Sequence, residues 1–476
     1  MNRDSLKMIL AFLGTILVVY GFPRLGLPTV VVQGVFLLLL ANIYNGKDDL
    51  LWLVWFFMIS DAPGRLFTGL YQSDIYGIPG YGIIPGITLS YSDLLLLTLL
   101  VKNSRKRRER AFLFGREVWL LIGLGVFYFA ISLAMGISAA NMVRAFRFVF
   151  NWLWPLVAAR IITQPEDLDR LFRLLLPVVL IGFMLIIHTY VTGNYFHNIL
   201  SGISRFRAID ASEESLGRVL FSSSIMSVTL VVSICLLFRR VTTISPNLLV
   251  TGSFVSGLSI FLSATRGWIL FLVLVLASFF FMRGFGFLKQ MVRVVVIVSL
   301  LIVLIGGAFP LVFSQSSLAF GRMLTLQEFA EGDISAGGTL SRVTYRGPRV
   351  MSMWRESPVI GWAFSNTFMQ YMDPHVGNQT NLLNLGVLGF ILLSFAFLAI
   401  LAKTWQRGRS NSLMGVGDNA HWVFILALIG FFVVHSTSTI LWSLTLTSVS
   451  KYLIWAFLFS IINVALIPYT VQGKKI

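Results

Sequence analysis

Apolar runs of close to twenty residues recur along the whole chain, and no other feature constrains its fold so strongly. A bilayer core about 30 Å thick is crossed by a helix of about 20 mostly apolar residues. The runs lie at Leu6–Tyr20, Leu27–Tyr44, Leu50–Leu70, Thr88–Val101, Val118–Met135, Ala145–Ile162, Leu171–Val191, Val219–Phe238, Asn247–Ser263, Gly267–Met282, Arg293–Phe313, Gln379–Ala402, His421–Ser436 and Leu441–Pro468. Asp61-Ala62-Pro63-Gly64 interrupts the third, and the fourth is short. One of the two can therefore be re-entrant, its backbone covered by neighbouring helices. Only 12% of residues are charged, about half the share of a soluble domain. The expectation is an all-α polytopic membrane protein with about 12–14 transmembrane helices and one large extracytoplasmic loop. Residues 1–313 hold about eleven helices, 314–378 the loop, and 379–476 about three more. The single cysteine, Cys235, excludes an intrachain disulfide. The first run, with no small-residue cleavage site after it, reads as an uncleaved helix.

The charges orient this set. A net charge of +17 would suggest nucleic acid in a soluble protein. Here it reads as lysines and arginines marking cytoplasmic loops, with no nucleic-acid partner. With a cytoplasmic N-terminus, the inside segments hold 23 of the 37 basic residues, including nearly every lysine. The anchor is loop 102–117, whose run Lys102-Asn-Ser-Arg-Lys-Arg-Arg-Glu-Arg110 suits anionic lipid headgroups. Both termini are then cytoplasmic, and segments 192–218 and 313–378 lie outside. The basic residues outside are arginines, where the inside rule gives no reason for them.

Several of these arginines can carry chemistry. Segment 313–385 holds Arg322, Arg342, Arg346, Arg349 and Arg355. Pro348 suits the first turn of a helix, with Met351–Arg355 continuing it, Ser357-Pro358 breaking it and Gly361-Trp362 turning. Arginines beside the free N–H groups of a helix start make an anion site, and the guanidinium fork suits phosphate or carboxylate. The plainer alternative is that they hold lipid headgroups or pair with Glu328, Glu331, Asp333 and Glu356. Arg266, between two runs with almost no loop, is costly there without a partner or ligand, or else snorkels to the interface. Arg144 and Arg147 share a helix side and read more simply as interface anchors. Of five histidines, His375 stands in the polar turn Asp373-Pro-His-Val-Gly-Asn-Gln379 and can accept a proton from a sugar hydroxyl. His421 is cytoplasmic, His188 and His435 lie in apolar runs, and His197 sits in the other outer loop. No histidine–cysteine cluster has metal spacing and no phosphate loop occurs, so neither a metal nor another cofactor is expected. Cationic side chains would then have to neutralise a phosphate leaving group.

Three ordered segments carry a resemblance. They are Leu262-Ser-Ala-Thr-Arg-Gly-Trp268, then Ser341-Arg342 followed by Met353-Trp354 and Glu356-Ser-Pro-Val-Ile-Gly-Trp-Ala-Phe364, then His375-Val-Gly-Asn-Gln-Thr-Asn-Leu-Leu-Asn-Leu-Gly-Val-Leu-Gly389. Together they resemble the O-antigen ligase and O-antigen polymerase superfamily over about a quarter of the chain. The resemblance implies an inverting, metal-independent GT-C-type glycosyltransferase of the bacterial cytoplasmic (inner) membrane, contributing to polysaccharide biosynthesis for the cell envelope. Its donor would be an undecaprenyl-diphosphate-linked glycan and its acceptor a glycan or lipid-linked hydroxyl. It implies His375 as base, with Arg266 and Arg342 as catalytic arginines. Arg346 and Arg349, by proximity, and Arg218 and Arg207, in the other outer loop, are further diphosphate-binding candidates. The family's usual His-Asn is here His375-Val376-Gly377-Asn378, a departure that slightly favours polymerase over ligase. The alternative class is a flippase or exporter of the lipid-linked sugar, for which the chain shows no two-fold internal repeat.

Overall fold

The computed structural model describes residues 2–60, 80–84, 87–104, 111–192, 223–238, 242–263, 266–283, 342–373, 376–411, 421–438 and 449–466. These form a mostly helical bundle. Four of the described helices are long and apolar enough to cross a membrane, at Gly115–Ala134, Pro165–Thr189, Gly377–Ser410 and Val449–Leu466. The expected run Arg293–Phe313, the interruption at Asp61–Gly64 and the first part of the large loop lie outside the described residues.

In chain order the helices are α1 (Arg3–Ile16), α2 (Thr29–Asn45), α3 (Asp49–Ser60), α4 (Tyr91–Ser104), α5 (Gly115–Ala134), α6 (Ala139–Asn151), α7 (Trp154–Ile161) and α8 (Pro165–Thr192). There follow α9 (Ser224–Leu237), α10 (Pro246–Leu262), α11 (Arg266–Arg283), α12 (Gly347–Trp354), α13 (Asn366–Tyr371), α14 (Gly377–Asn411), α15 (His421–Ser438) and α16 (Val449–Leu466). The all-helical expectation has one exception. Strands β1 (Tyr81–Ile84) and β2 (Ile87–Leu89) pair antiparallel, with Tyr81 opposite Leu89. Thr88, expected to open a span, is therefore in a strand. The glycine- and proline-rich sequence there does not sustain a helix. The hairpin is docked on α2, where the Tyr81 hydroxyl donates to the Gln33 carbonyl and Gln33 Nε2 donates to the Gly80 carbonyl.

Helices apolar on every side belong in the interior of a bundle, and helices with one apolar stripe at its rim. Accordingly α3, α9 and α16 are buried along almost their whole length. Phe56 of α3 stacks on Trp154 of α7, and Phe57 packs against Phe457 of α16. The hydroxyls inside α9 are satisfied within the helix, Ser227, Thr229 and Ser233 each donating to a carbonyl one turn back. By contrast α14 keeps a lengthwise stripe of Val387, Leu388, Ile391, Phe395 and Leu398 exposed.

The bundle has two chemically different ends. At one, Lys7 pairs with Asp48, Lys102 with Asp49, Arg170 with Asp4 and Asp48, and Lys403 with Glu117. Asp169 caps the chain before α10 by accepting from Thr242 and Thr243, and Arg160 donates to the Asn103 carbonyl. The opposite end carries Arg147 paired with Asp93 and Arg346 paired with Asp373. The ion pairs of Lys7, Lys102 and Lys403 are thus at the first end, together with those of Arg170, and the two pairs described at the second are arginine's.

Candidate functional site at the arginine end

The site is built on the segment from Arg342 to Asp373. Arg342–Arg346 forms a single π turn that runs directly into α12, with Pro348 in the first helical positions as its fixed φ favours. Arg346 is itself helical (φ −69°, ψ −48°). The expectation that Arg346 and Arg349 flank the free N–H groups of a helix start is therefore corrected. The helical segment extends back at least to Arg342, where the described residues begin, because the π turn continues the hydrogen-bonded path of α12 upstream.

From this segment two arginines reach the C-terminal end of α13 and the residues just after it. Arg346 Nη1 lies 3.5 Å from Asp373 Oδ1, a long contact between a partly exposed guanidinium and a mostly buried carboxylate. Arg349 Nη2 donates to the Gln370 carbonyl at 2.9 Å, and its guanidinium lies 5.6 Å from the centre of the Tyr371 ring. Arg349 is exposed and carries five donors, one of them used at Gln370. Asp373 is held in turn, its backbone carbonyl accepting from Thr380 Oγ1 at 2.7 Å. Ser365 caps α13 by accepting from the Phe368 N–H. The expected partner acids did not include Asp373, and Glu328, Glu331 and Asp333 lie outside the described residues.

The segment is fastened to the bundle by a break in α14. Gly386 has φ 59° and ψ −171°, a conformation open essentially to glycine alone. The main chain of the loop takes up the groups this break frees. The N–H of Trp362 donates to the Leu383 carbonyl at 2.7 Å and that of Ala363 to Asn384 at 2.8 Å. In the reverse direction the N–H of Val387 donates to Pro358 at 2.9 Å and that of Leu388 to Val359 at 3.1 Å. Buried Asn384 adds a side-chain bond from Nδ2 to the Ala363 carbonyl, and Tyr128 donates to the Leu385 carbonyl. Gly361, with φ 75°, packs so closely that a Cβ there would lie 2.4 Å from the Gly386 nitrogen. Ala363, forced to φ 48°, is the only non-glycine with positive φ among the described residues.

A second fastening comes from α5 and α6. Ser132 Oγ accepts from the Phe364 N–H at 2.7 Å, and Asn366 Oδ1 accepts from Asn141 Nδ2 at 2.9 Å. Arg147 Nε donates to Asp93 Oδ2 at 2.9 Å, and its Nη2 donates to the Thr88 carbonyl. Asp93 also accepts from the Ser90 N–H while Ser90 Oγ accepts from the Asp93 N–H, a reciprocal cap at the start of α4. Arg147 is thereby committed to tying the hairpin and α4 to α6. Exposed Arg144 meets only Asn141 Oδ1, at a long 3.4 Å, among the contacts described for it.

No protein-family model matches the chain, and no curated protein matches it.

Of the residues singled out from sequence, Arg342, Arg346 and Arg349 share one helical segment. Arg266 opens α11, three residues after Ser263, the cap residue that ends α10. α10 starts beside Asp169 at the lysine end, and Arg266 follows its far end in the chain. His375, Arg207 and Arg218 lie outside the described residues. Among the described residues no group of three or more His, Cys, Asp or Glu side chains gathers to hold a metal ion. Residues that sequence reading missed are Asp373, Tyr371, Asn384, Ser132 and Tyr128. The one available signal was an isolated glycine and asparagine inside an apolar run, at Gly386 and Asn384.

Proposed function

We propose that the protein is a membrane glycosyltransferase that moves a glycan from a polyprenyl diphosphate to a sugar hydroxyl at the arginine end of the bundle. The observation that carries this reading is the sorting of charge. Lysine pairs close one end, while the other presents Arg342, Arg346 and Arg349 on one segment, with Arg346 held by Asp373 two residues before His375 in the chain. Under the inside rule the lysine end is cytoplasmic and the arginine end extracytoplasmic. The fold reading of about 12–14 spans in a bacterial inner membrane belongs to the same proposal.

In the reaction, the acceptor oxygen bonds to the anomeric carbon while the bond from that carbon to the diphosphate oxygen breaks, with inversion. His375 takes the hydroxyl proton. The diphosphate leaves with its charge met by guanidinium groups, which stabilise it more as the charge develops. Arg346 and Arg349 are positioned for this by α12, with Arg342 on the same segment and Arg266 proposed at the same end. The glycan polymerase is favoured over the ligase by the departure at Asn378.

The test is product formation by purified protein in nanodiscs, given a polyprenyl-diphosphate oligosaccharide and an acceptor. His375→Ala is expected to abolish the product, a loss of at least about 100-fold for a missing general base, with insertion and folding unchanged. Normal product lengths from that variant at normal protein level would remove the assignment. Lipid-linked sugar accumulating on the cytoplasmic leaflet of cells lacking the protein would favour a flippase instead.

A further inference from the structure

The tip of the loop between α12 and α13, Pro358-Val359-Ile360, presents its side chains outward, Val359 with 62% of its surface exposed. An apolar tip at the water-facing end of a bundle would be costly, and its position along α14 resolves this. Leu383–Ala402 holds 20 residues without a charge, ending at Lys403. At 1.5 Å per residue that is about 30 Å, the thickness of a bilayer core. Because the Leu388 N–H bonds to the Val359 carbonyl, the tip is level with Leu388. That is beyond the break at Gly386, inside the apolar part of the run. Val359 and Ile360 are exposed there, as are Val387, Leu388 and Ile391 of α14.

We infer that this tip is buried among the acyl chains of the leaflet at the arginine end, as a non-helical lip of the protein facing lipid. Backbone outside a helix is tolerated at that depth only when its polar groups are satisfied within the protein. The break in α14 supplies partners for two carbonyls of the tip. The carbonyls of Pro358 and Val359 accept from α14, and those of Ser357 and Gly361 accept from the Gly361 N–H and the Ser357 hydroxyl. Pro358 has no N–H to place. Exposed Arg355 and Glu356 precede the tip, and half-buried Trp354 and Trp362 bracket it, in the order of headgroup contacts and interfacial belt. The inference does not rest on the glycosyltransferase reading, only on the membrane-crossing length of α14.

The experiment places a fluorescent label at Val359→Cys or Ile360→Cys, with Cys235→Ser as background, in nanodiscs. Lipids bearing a nitroxide near the top of the acyl chain quench from within the bilayer, and a charged quencher acts from water. Leu398→Cys on the exposed stripe and Gln370→Cys at the polar end are controls. Expected is lipid quenching at both tip positions within about twofold of that at Leu398, with aqueous quenching about tenfold below that at Gln370, because hydrocarbon excludes a charged quencher. Aqueous quenching equal to that at Gln370 would overturn the inference. So would protection from both quenchers, which would mean that protein, such as a second copy, covers the tip. Two tip positions guard against one label distorting the loop.

Discussion

Replacing Gly386 by alanine should detach the arginine-bearing segment from the bundle. A Cβ at Gly386 would lie 2.2 Å from the Val359 oxygen and 2.4 Å from its carbon, both backbone atoms that no rotamer change moves away. The φ of 59° with ψ of −171° is also barred to alanine. Relief requires either the backbone of α14 or the loop to shift, breaking at least two of the four main-chain bonds across the break. Strain of about 1–3 kcal/mol, plus about 1 kcal/mol for each bond lost, gives roughly 3–5 kcal/mol. That is a large part of the roughly 5–15 kcal/mol that separates a folded domain from its unfolded state. The measurement is thermal unfolding in nanodiscs followed by tryptophan emission, with limited proteolysis of the 355–365 loop alongside. Gly386→Ala is expected to lower the midpoint and expose the loop to cleavage. Gly123→Ala is the control, because a Cβ there meets nothing within 4 Å. A Gly386→Ala protein with the wild-type midpoint and cleavage pattern would refute the argument. Gly361→Ala should do the same damage, and the double variant should add little, since both act on one contact.

Three further outcomes are expected. Lys403→Met leaves buried Glu117 without its cation and should destabilise by about 2 kcal/mol, less than a fully buried pair because Lys403 is partly solvated, while adding Glu117→Gln should recover most of the loss in a double-mutant cycle. The hydrogen bond from Lys7, outweighing partial desolvation and aided by Arg170, holds the Asp48 carboxyl below its usual range. Its folded pKa is thus depressed, so its small contribution is fully present above the ordinary carboxylate range and lost as pH falls through the folded value; Lys7→Gln should flatten acid unfolding curves there. Arg147→Ala should speed hydrogen exchange in residues 87–95, where the guanidinium bridges Thr88 and Asp93, and leave exchange in α16 unchanged.

How much of this was legible without coordinates differs by level. Most described helices follow the apolar runs because a bilayer allows only satisfied backbone, but the run Ala145–Ile162, expected as one span, is split at Trp152-Leu153 between α6 and α7. The gathering of lysines at one end was likewise written in the loops, and the ion pairs of Lys7, Lys102 and Lys403 lie together there, with Arg170. Pro348 and Gly361 announced a short helix and a turn by their own backbone limits.

What tertiary structure alone decided is what each arginine is spent on. Arg147 and Arg346 look alike in the chain, yet one is committed to Asp93 and Thr88 while the other makes a single long contact with Asp373. Nothing local to either residue encodes the difference, since the partners come from other elements, 54 and 27 residues away. The break in α14 was hidden for a similar reason. Gln379–Ala402 reads as one continuous span, and a glycine in a helix costs only about 1 kcal/mol. Gly386 leaves the helical conformation because the loop at Pro358–Ala363 takes over its hydrogen bonds, a trade that exists only once both segments are folded together.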